Sequence, residues 1–289
     1  LITDVKGVKV GHKTLDNGNI KTGVTAIIPH SDNIFREKLI SSSYVINGFG
    51  KSIGLVQINE LGTLETPIIL TNTLSVGTCS TALVKYMLKE NDDIGVTTGT
   101  VNPVVCECND GYLNDIRGLH VKEEDVFDAI ENAEINFKEG NIGAGTGMSC
   151  YQLKGGIGSA SRVLKLDDKE YTIGSLVLSN FGLKEDLLVD GIKVGEKILE
   201  KEREELEKGS IIIILATDIP MNERQLKRIA KRVPIGLART GSHIGNGSGD
   251  IVIAFSTANR IKHYEDRDIV SIKIINENII DKGFRGVIE

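Results

Sequence analysis

The segment best equipped for chemistry runs Arg239-Thr-Gly-Ser-His-Ile-Gly-Asn-Gly247-Ser248-Gly-Asp250-Ile-Val-Ile-Ala-Phe255. A loop rich in Gly and Asn leads straight into an apolar strand, and Ser248 sits at the junction. Glycine at 247 tolerates backbone angles closed to other residues, so a neighbouring hydroxyl can approach its carbonyl. Attack by the Ser248 hydroxyl there would give an N-to-O acyl shift and an ester, and water would then cut the chain between 247 and 248. The freed α-amino group has a reference pKa of about 7.7–8.0 and can accept the proton of its own hydroxyl. Such a nucleophile needs no histidine. Pattern alone leaves a plainer reading in place: a glycine-rich hairpin loop with an incidental serine.

Other routes to catalysis find little support. His12, His30, His120, His243 and His263 are scattered, with no H-E-x-x-H and no close pair to hold a metal. No G-x-S-x-G turn precedes a helix, which disfavours an α/β-hydrolase. Gly143-Ala-Gly145-Thr-Gly147 and Gly155-Gly156-Ile-Gly158 look like phosphate loops. Neither leads into a convincing helix with an acid about twenty residues on, so tight turns are expected and no cofactor. Cys106 and Cys108 form a C-x-C with no second pair and no nearby His, which favours buried thiols over zinc ligands.

The bulk properties narrow the field further. Four unevenly placed cysteines in 289 residues, with no signal peptide, read as a reduced, cytoplasmic protein. A net charge of −6 and the absence of Trp argue against a nucleic-acid partner. Arg224, Lys227, Arg228, Lys231 and Arg232 therefore read as a solvated helix face. No apolar run reaches the ~18 residues of a membrane span. Because the sequence opens on Leu1 rather than Met, trimming at either end is allowed for.

Periodicity outlines the elements that must position these groups. Short β-branched runs at 24–28, 53–58, 67–70, 173–178, 211–215 and 251–255 predict strands, several covered on both faces. Helical spacing predicts helices over 80–90, 123–133 and 220–233, the last with Asp218 as a start signal. The stretch 195–208, dense in Glu and Lys, predicts a solvated helix or an exposed excursion. Strands and helices mix throughout without a linker, which predicts one α/β domain over 1–289.

Many blocks then fall in a recognisable order. They include Ile2-Thr-Asp-Val-Lys-Gly-Val-Lys-Val-Gly-His12, Ile46-Asn-Gly-Phe-Gly-Lys51, Glu107-Cys-Asn-Asp-Gly-Tyr-Leu-Asn-Asp115, Gly143-Ala-Gly-Thr-Gly-Met148, Lys154-Gly-Gly-Ile-Gly158, Ser179-Asn-Phe-Gly182 and Asn246-Gly-Ser-Gly-Asp250. Across nearly its whole length the sequence resembles the DmpA-type aminopeptidases, the L-aminopeptidase/D-esterases and β-peptidyl aminopeptidases. The resemblance implies a four-layer α-β-β-α sandwich of the DmpA/ornithine acetyltransferase type, related to the latter rather than to true Ntn hydrolases by topology. It implies self-cleavage before Ser248, giving an α fragment 1–247 and a β fragment 248–289, assembled as a tetramer of such heterodimers. The implied activity removes N-terminal residues from small peptides, amides or esters through an acyl-enzyme on Ser248. Two alternatives stand beside it: an N-acyltransferase of the ornithine acetyltransferase type, whose nucleophile is threonine rather than serine, and an unprocessed, silent homologue.

The same resemblance nominates Tyr151 and Asn180 as oxyanion donors, with a buried aromatic and a turn residue as their plainer readings. Asp250 reads as a loop anchor, as a partner of the new ammonium, or as an outward-facing structural residue of an alternating strand. In the family, further serine and glutamate partners follow a Gly-Val-Ile-Glu stretch, which here is Gly286 to Glu289, so no residue of this sequence is assigned those roles.

Overall fold

Five consecutive apolar residues, Ile211 to Leu215, leave a strand no polar face, and such a strand needs cover on both sides. The computed structural model, which describes residues 1–198 and 209–289, supplies that cover in four layers. Most of the stretch 195–208 lies outside the described residues. The first part of the chain forms β1 (Lys9–Asn17), β2 (Ile20–Ile28), β3 (Glu37–Gly48), β4 (Thr63–Leu64), β5 (Ile68–Asn72) and β6 (Val104–Cys108). Helices α1 (Leu55–Leu61), α2 (Val76–Glu90) and α3 (Glu123–Glu131) are interspersed. Two small hairpins follow, β7 (Ser149–Cys150) with β8 (Leu153–Lys154), and β11 (Leu188–Val189) with β12 (Ile192–Lys193). Between and after them come the long β9 (Gly156–Leu166), β10 (Lys169–Asn180), β13 (Ser210–Thr217) and β14 (Gly249–Lys262). Helices α4 (Val194–Ile198), α5 (Glu223–Ala230), α6 (Val233–Arg239) and α7 (Asp281–Ile288) complete the described elements.

One sheet has the order β1-β2-β5-β6, the other β4-β3-β14-β13-β10-β9. Side-chain alternation then sorts each strand between two cores. Ile212 and Ile214 join Ile251, Ile253 and Phe255 in the core between the sheets, against Ile27, Ile68 and Cys106. Their neighbours Ile211, Ile213 and Leu215 face outward, under Leu226, Ile229, Val233 and Phe284 of α5, α6 and α7. On the far side Val24, Ala26, Ile69 and Val105 are covered by Val76, Leu83, Val126 and Ile130 of α2 and α3. The stack is helices, sheet, sheet, helices: the expected α-β-β-α sandwich.

Two local expectations are corrected. The run 53–58 is not a strand: only Ile53 makes an isolated bridge, and α1 begins at Leu55. Gly54 adopts φ 92° and Gly62 φ 66°, so left-handed residues at both ends cut a short helix from an apolar run. The helix expected over 220–233 is two, α5 and α6, and Asp218 does not start it. Asn222 caps α5, its side chain accepting from Gln225 N at 2.9 Å while Gln225 Oε1 accepts from Asn222 N, a capping box. Asp218 instead accepts from Thr172 N at 2.7 Å. The glycine-rich stretches serve close packing: a Cβ at Gly156 would lie 2.3 Å from Gly140 O, and one at Gly145 2.7 Å from Ile157 N. Cys79, Cys106 and Cys108 are buried as free thiols, and burial pushes the Cys106 thiol up to about 12.

Candidate active site

At one end of the two sheets lies a cleft of about 940 Å³. Gly247, Asn180, Glu107, Thr73, Lys51 and Ser210 are among its lining residues. Each comes from the end of a strand or the turn beside it: Glu107 from β6, Asn180 from β10, Ser210 from β13, and Gly247 from the loop entering β14. Ser248 stands immediately behind Gly247 and is 1% exposed.

The loop carrying Gly247 is tied to the six-stranded sheet on both sides. Phe49 N donates to Ser248 O at 3.3 Å, and Gly249 N donates to Gly209 O at 3.2 Å. The pairing of β3 with β14 shifts register between Asp250 and Ile251: Asn47 opposes Asp250 while Val45 opposes Ile251, leaving Ile46 as an extra residue. A bulge of this kind re-aims nearby side chains. Asn47 Nδ2 reaches the carbonyls of Gly245 (3.2 Å), Asn246 (3.2 Å) and Ser248 (2.5 Å), on both sides of the 247–248 bond. Ser248 Oγ donates to Asp250 Oδ1 at 2.5 Å, and Asp250 is 2% exposed. The reading of Asp250 as an outward-facing residue is thereby corrected.

Asn180 is brought to the cleft and Tyr151 is not. Asn180 Nδ2 donates to Asn109 O at 2.9 Å and its Oδ1 accepts from Ser149 N at 2.9 Å, so its amide plane is fixed with one N–H to spare. Tyr151 lies outside the cleft's lining, among the residues of a second cavity beneath α6 and α7. Its ring packs edge-on to Phe181 at 5.1 Å and its hydroxyl shares a hydrogen with Thr240 Oγ1 at 2.7 Å. A buried aromatic against a glycine, Gly182, describes its position.

Glu107 is the residue that sequence reasoning passed over. Its carboxylate is 2% exposed at the wall of the cleft, where Oε1 accepts from Lys51 N at 2.8 Å and Oε2 from the Thr73 hydroxyl. The signal was an acid near the end of an otherwise apolar strand, which burial tolerates only when the charge is partnered. Behind it, Asn72 caps the turn that presents Thr73 by accepting from Leu74 N and Ser75 N, both at 3.1 Å, and donates to Thr22 Oγ1 at 2.8 Å. Asp110 anchors the wall of Asn109, Gly111 and Tyr112 from below, accepting from Asn114 Nδ2 at 3.0 Å. Its Oδ2 is buried with no hydrogen-bond partner among the described residues, and burial pushes its carboxyl up to about 6. Lys154 Nζ ties down the adjoining loop through the carbonyls of Gly145, Met148 and Gly155 at 2.7–3.0 Å.

The histidines serve structure elsewhere. His12 bridges Thr25 Oγ1 (2.9 Å) and Lys138 O (3.0 Å), and burial lowers its pKa to about 4. Among the described residues no group of three His, Cys, Asp or Glu is arranged to hold a metal.

The arrangement is a cleft with an anionic wall, an amide donor and a buried serine–carboxylate pair at its end, next to a loop bond held from both sides. Comparison with known proteins gives this geometry its family. The chain is 39% identical over 297 residues to a beta-peptidyl aminopeptidase, BapA, of Sphingosinicella microcystinivorans, covering 94% of this chain and 74% of the relative. Its fold superposes on the PH0078 protein of Pyrococcus horikoshii OT3 with a TM-score of 0.95 at 56% identity, over 100% of this chain and 82% of that one. An L-aminopeptidase D-Ala-esterase/amidase from Ochrobactrum anthropi, described as a prototype for the serine aminopeptidases and a new variant among the Ntn hydrolase fold, gives 0.91 at 36% identity, covering 99% and 82%. These structures bear out the expected DmpA-type sandwich, and the relatives do not favour the N-acyltransferase or silent alternatives. With the model for peptidase family S58 matching residues 1–289, the chain belongs to that family and is a hydrolase of the aminopeptidase kind.

Proposed function

We propose that this aminopeptidase cuts its own chain between Gly247 and Ser248 and then uses the freed Ser248 as an N-terminal nucleophile. The observation that carries the reading is the placement of the serine. Its hydroxyl is buried and hydrogen-bonded to Asp250, one peptide bond beyond a glycine that lines the cleft. In the uncut chain substrate cannot reach the hydroxyl, and the nitrogen beside it is an amide with no basicity. Scission removes both obstacles at once, since it opens the loop and frees an amine whose reference pKa is about 7.7–8.0.

In the mature site the substrate is a small peptide, amide or ester with a free N-terminal amine. Glu107 is the group suited to that ammonium, because two hydrogen bonds hold its carboxylate aimed and a charge-assisted contact is stronger than a neutral one. Ser248 attacks the carbonyl of the first residue, its own amine takes the proton, and the spare N–H of Asn180 stabilises the oxyanion. The amine then returns the proton to the leaving group, and water releases the acyl group. Tyr151 supports the wall through Gly182 and Phe181 rather than touching the reacting atoms.

The fragments are read as 1–247 and 248–289, joined through β14 and assembled as a homo-oligomer, a tetramer of αβ heterodimers. Exposed Ile269, Val270, Ile272 and Ile274 support an assembly, since a run of apolar side chains in water marks a contact surface. No helix among the described residues is long and apolar enough to cross a membrane. Free thiols in the core support a cytoplasmic location.

Intact mass spectrometry beside a Ser248→Ala variant tests the central step. Two fragments meeting at 247/248 in the wild type and one chain in the variant are expected. A single-chain wild type that turns over L-, D- or β-aminoacyl amides would overturn the reading.

A further inference from the structure

The cleft offers one charge of each sign: among its described lining residues only Glu107 and Lys51 are charged. A single short segment joins them to the nucleophile. Phe49 N donates to Ser248 O at 3.3 Å, and two residues on Lys51 N donates to Glu107 Oε1 at 2.8 Å. Residues 49–51 lie close against the start of β14, where a Cβ at Gly249 would stand 2.8 Å from Phe49 O and 3.0 Å from Gly50 Cα. The Lys51 side chain folds back along this segment, with Nζ 4.4 Å from the centre of the Phe49 ring. Phe49 is 61% exposed, so its ring offers the cation a face without enclosing it. Among the described residues the Lys51 ammonium makes no ion pair. A cation that a ring holds at the cleft, and that neutralises nothing there, can take an anion from solution.

We propose that Lys51 determines specificity by binding the free carboxylate of the leaving residue, so that dipeptides are the preferred substrates; this rests on the reading of Ser248 and Glu107 given above. A dipeptide is a zwitterion. Its amine meets Glu107, its carboxylate meets Lys51, and its scissile carbonyl lies between the two, at Ser248. Length supports the match. Counting from Glu107 Oε1 through Lys51 N and out along the extended stem, Nζ stands at most about 10 Å from the carboxylate. Two extended residues span about 7 Å and three about 10 Å. Once a contact is made at each end, the shorter fits between the charges and the longer does not. A dipeptide amide has almost the same shape but brings no charge, so it forgoes the charge-assisted contact. The bonds broken and the protons moved are those of the reaction above, and Lys51 changes none of them.

The test is steady-state kinetics of the mature enzyme on a dipeptide, its C-terminal amide, and the matching tripeptide and tripeptide amide. In the wild type KM for the dipeptide is expected about three- to tenfold below that of its amide, between the worth of an exposed ion pair and a buried one. The ratio should shrink as salt is raised. Lys51→Met keeps the stem and is expected to bring the ratio near one, Lys51→Arg to preserve it in part, and Lys51→Glu to invert it. For the tripeptide pair the wild-type ratio is expected near one. Equal KM for dipeptide and amide in the wild type, or a ratio that survives Lys51→Met, would overturn the proposal. A tripeptide ratio as large as the dipeptide's would overturn the assignment to dipeptides. Should the wild type turn over none of the four, or Ser248→Ala turn them over as well, the reading of the site itself is lost. Turnover of all four without discrimination sinks only the role of Lys51.

Discussion

Removing the charge from Glu107 while keeping its shape isolates what that carboxylate contributes. Glu107→Gln keeps an acceptor for Lys51 N, and the protein should fold. It loses the charge offered to a substrate ammonium, so KM should rise by roughly ten- to a hundredfold, the span of one charge-assisted contact, with a smaller change in kcat. Steady-state kinetics on an aminoacyl amide checks this; an unchanged KM would remove Glu107 from substrate binding. Asp110 makes a different prediction, because burial raises its carboxyl to about 6 in the folded state from 3.8. The folded protein therefore prefers the protonated form. Its cost to stability is absent below about pH 4, grows between pH 4 and 6, and is full above that. Asp110→Asn should gain on the wild type by roughly 1–3 kcal/mol at pH 8 and by little at pH 4, read from denaturant melts at both values.

Elements decide how much of this was legible beforehand. A run such as Ile211 to Leu215 has one physical reading, a strand covered on both faces, and the two cores confirm it residue by residue. The run 53–58 has two, and glycines with positive φ at each end of α1 choose the helix. The start of α5 was misplaced because Asp218 and Asn222 are both good caps, and the pairing of β10 with β13 claims Asp218 for Thr172 N. Asn222→Ala should lower stability by about 1 kcal/mol, the usual worth of such a cap, without affecting turnover. Equilibrium unfolding with a parallel activity assay checks both halves. The placement of Ser248 behind the cleft was legible because a loop-to-strand junction is local in sequence. The positions of Asn47 and Glu107 beside this loop and cleft were not legible, since a bulge in β3 and the end of β6 bring them in from far along the chain.

At the scale of the molecule, β14 lies between β3 and β13, antiparallel to one and parallel to the other. Its side chains enter both cores of the six-stranded sheet, with Ile253 and Phe255 on one side and Val252 and Ala254 on the other. A cut before Ser248 should therefore leave the pieces together. Cut protein is expected to elute from a sizing column as one species and to separate only in denaturant, at concentrations that also abolish its circular dichroism. Fragments that part under native conditions would contradict the pairing described here.

A severed polypeptide usually frays from its new end, and loose ends make poor tools. Here the end would be born stitched between two neighbours, with Gly249 paired to Gly48 on one flank and to Ser210 on the other. The leading atom of the second fragment would thus inherit the stiffness of the middle of a sheet, and alignment for attack would come without any closing motion of a lid.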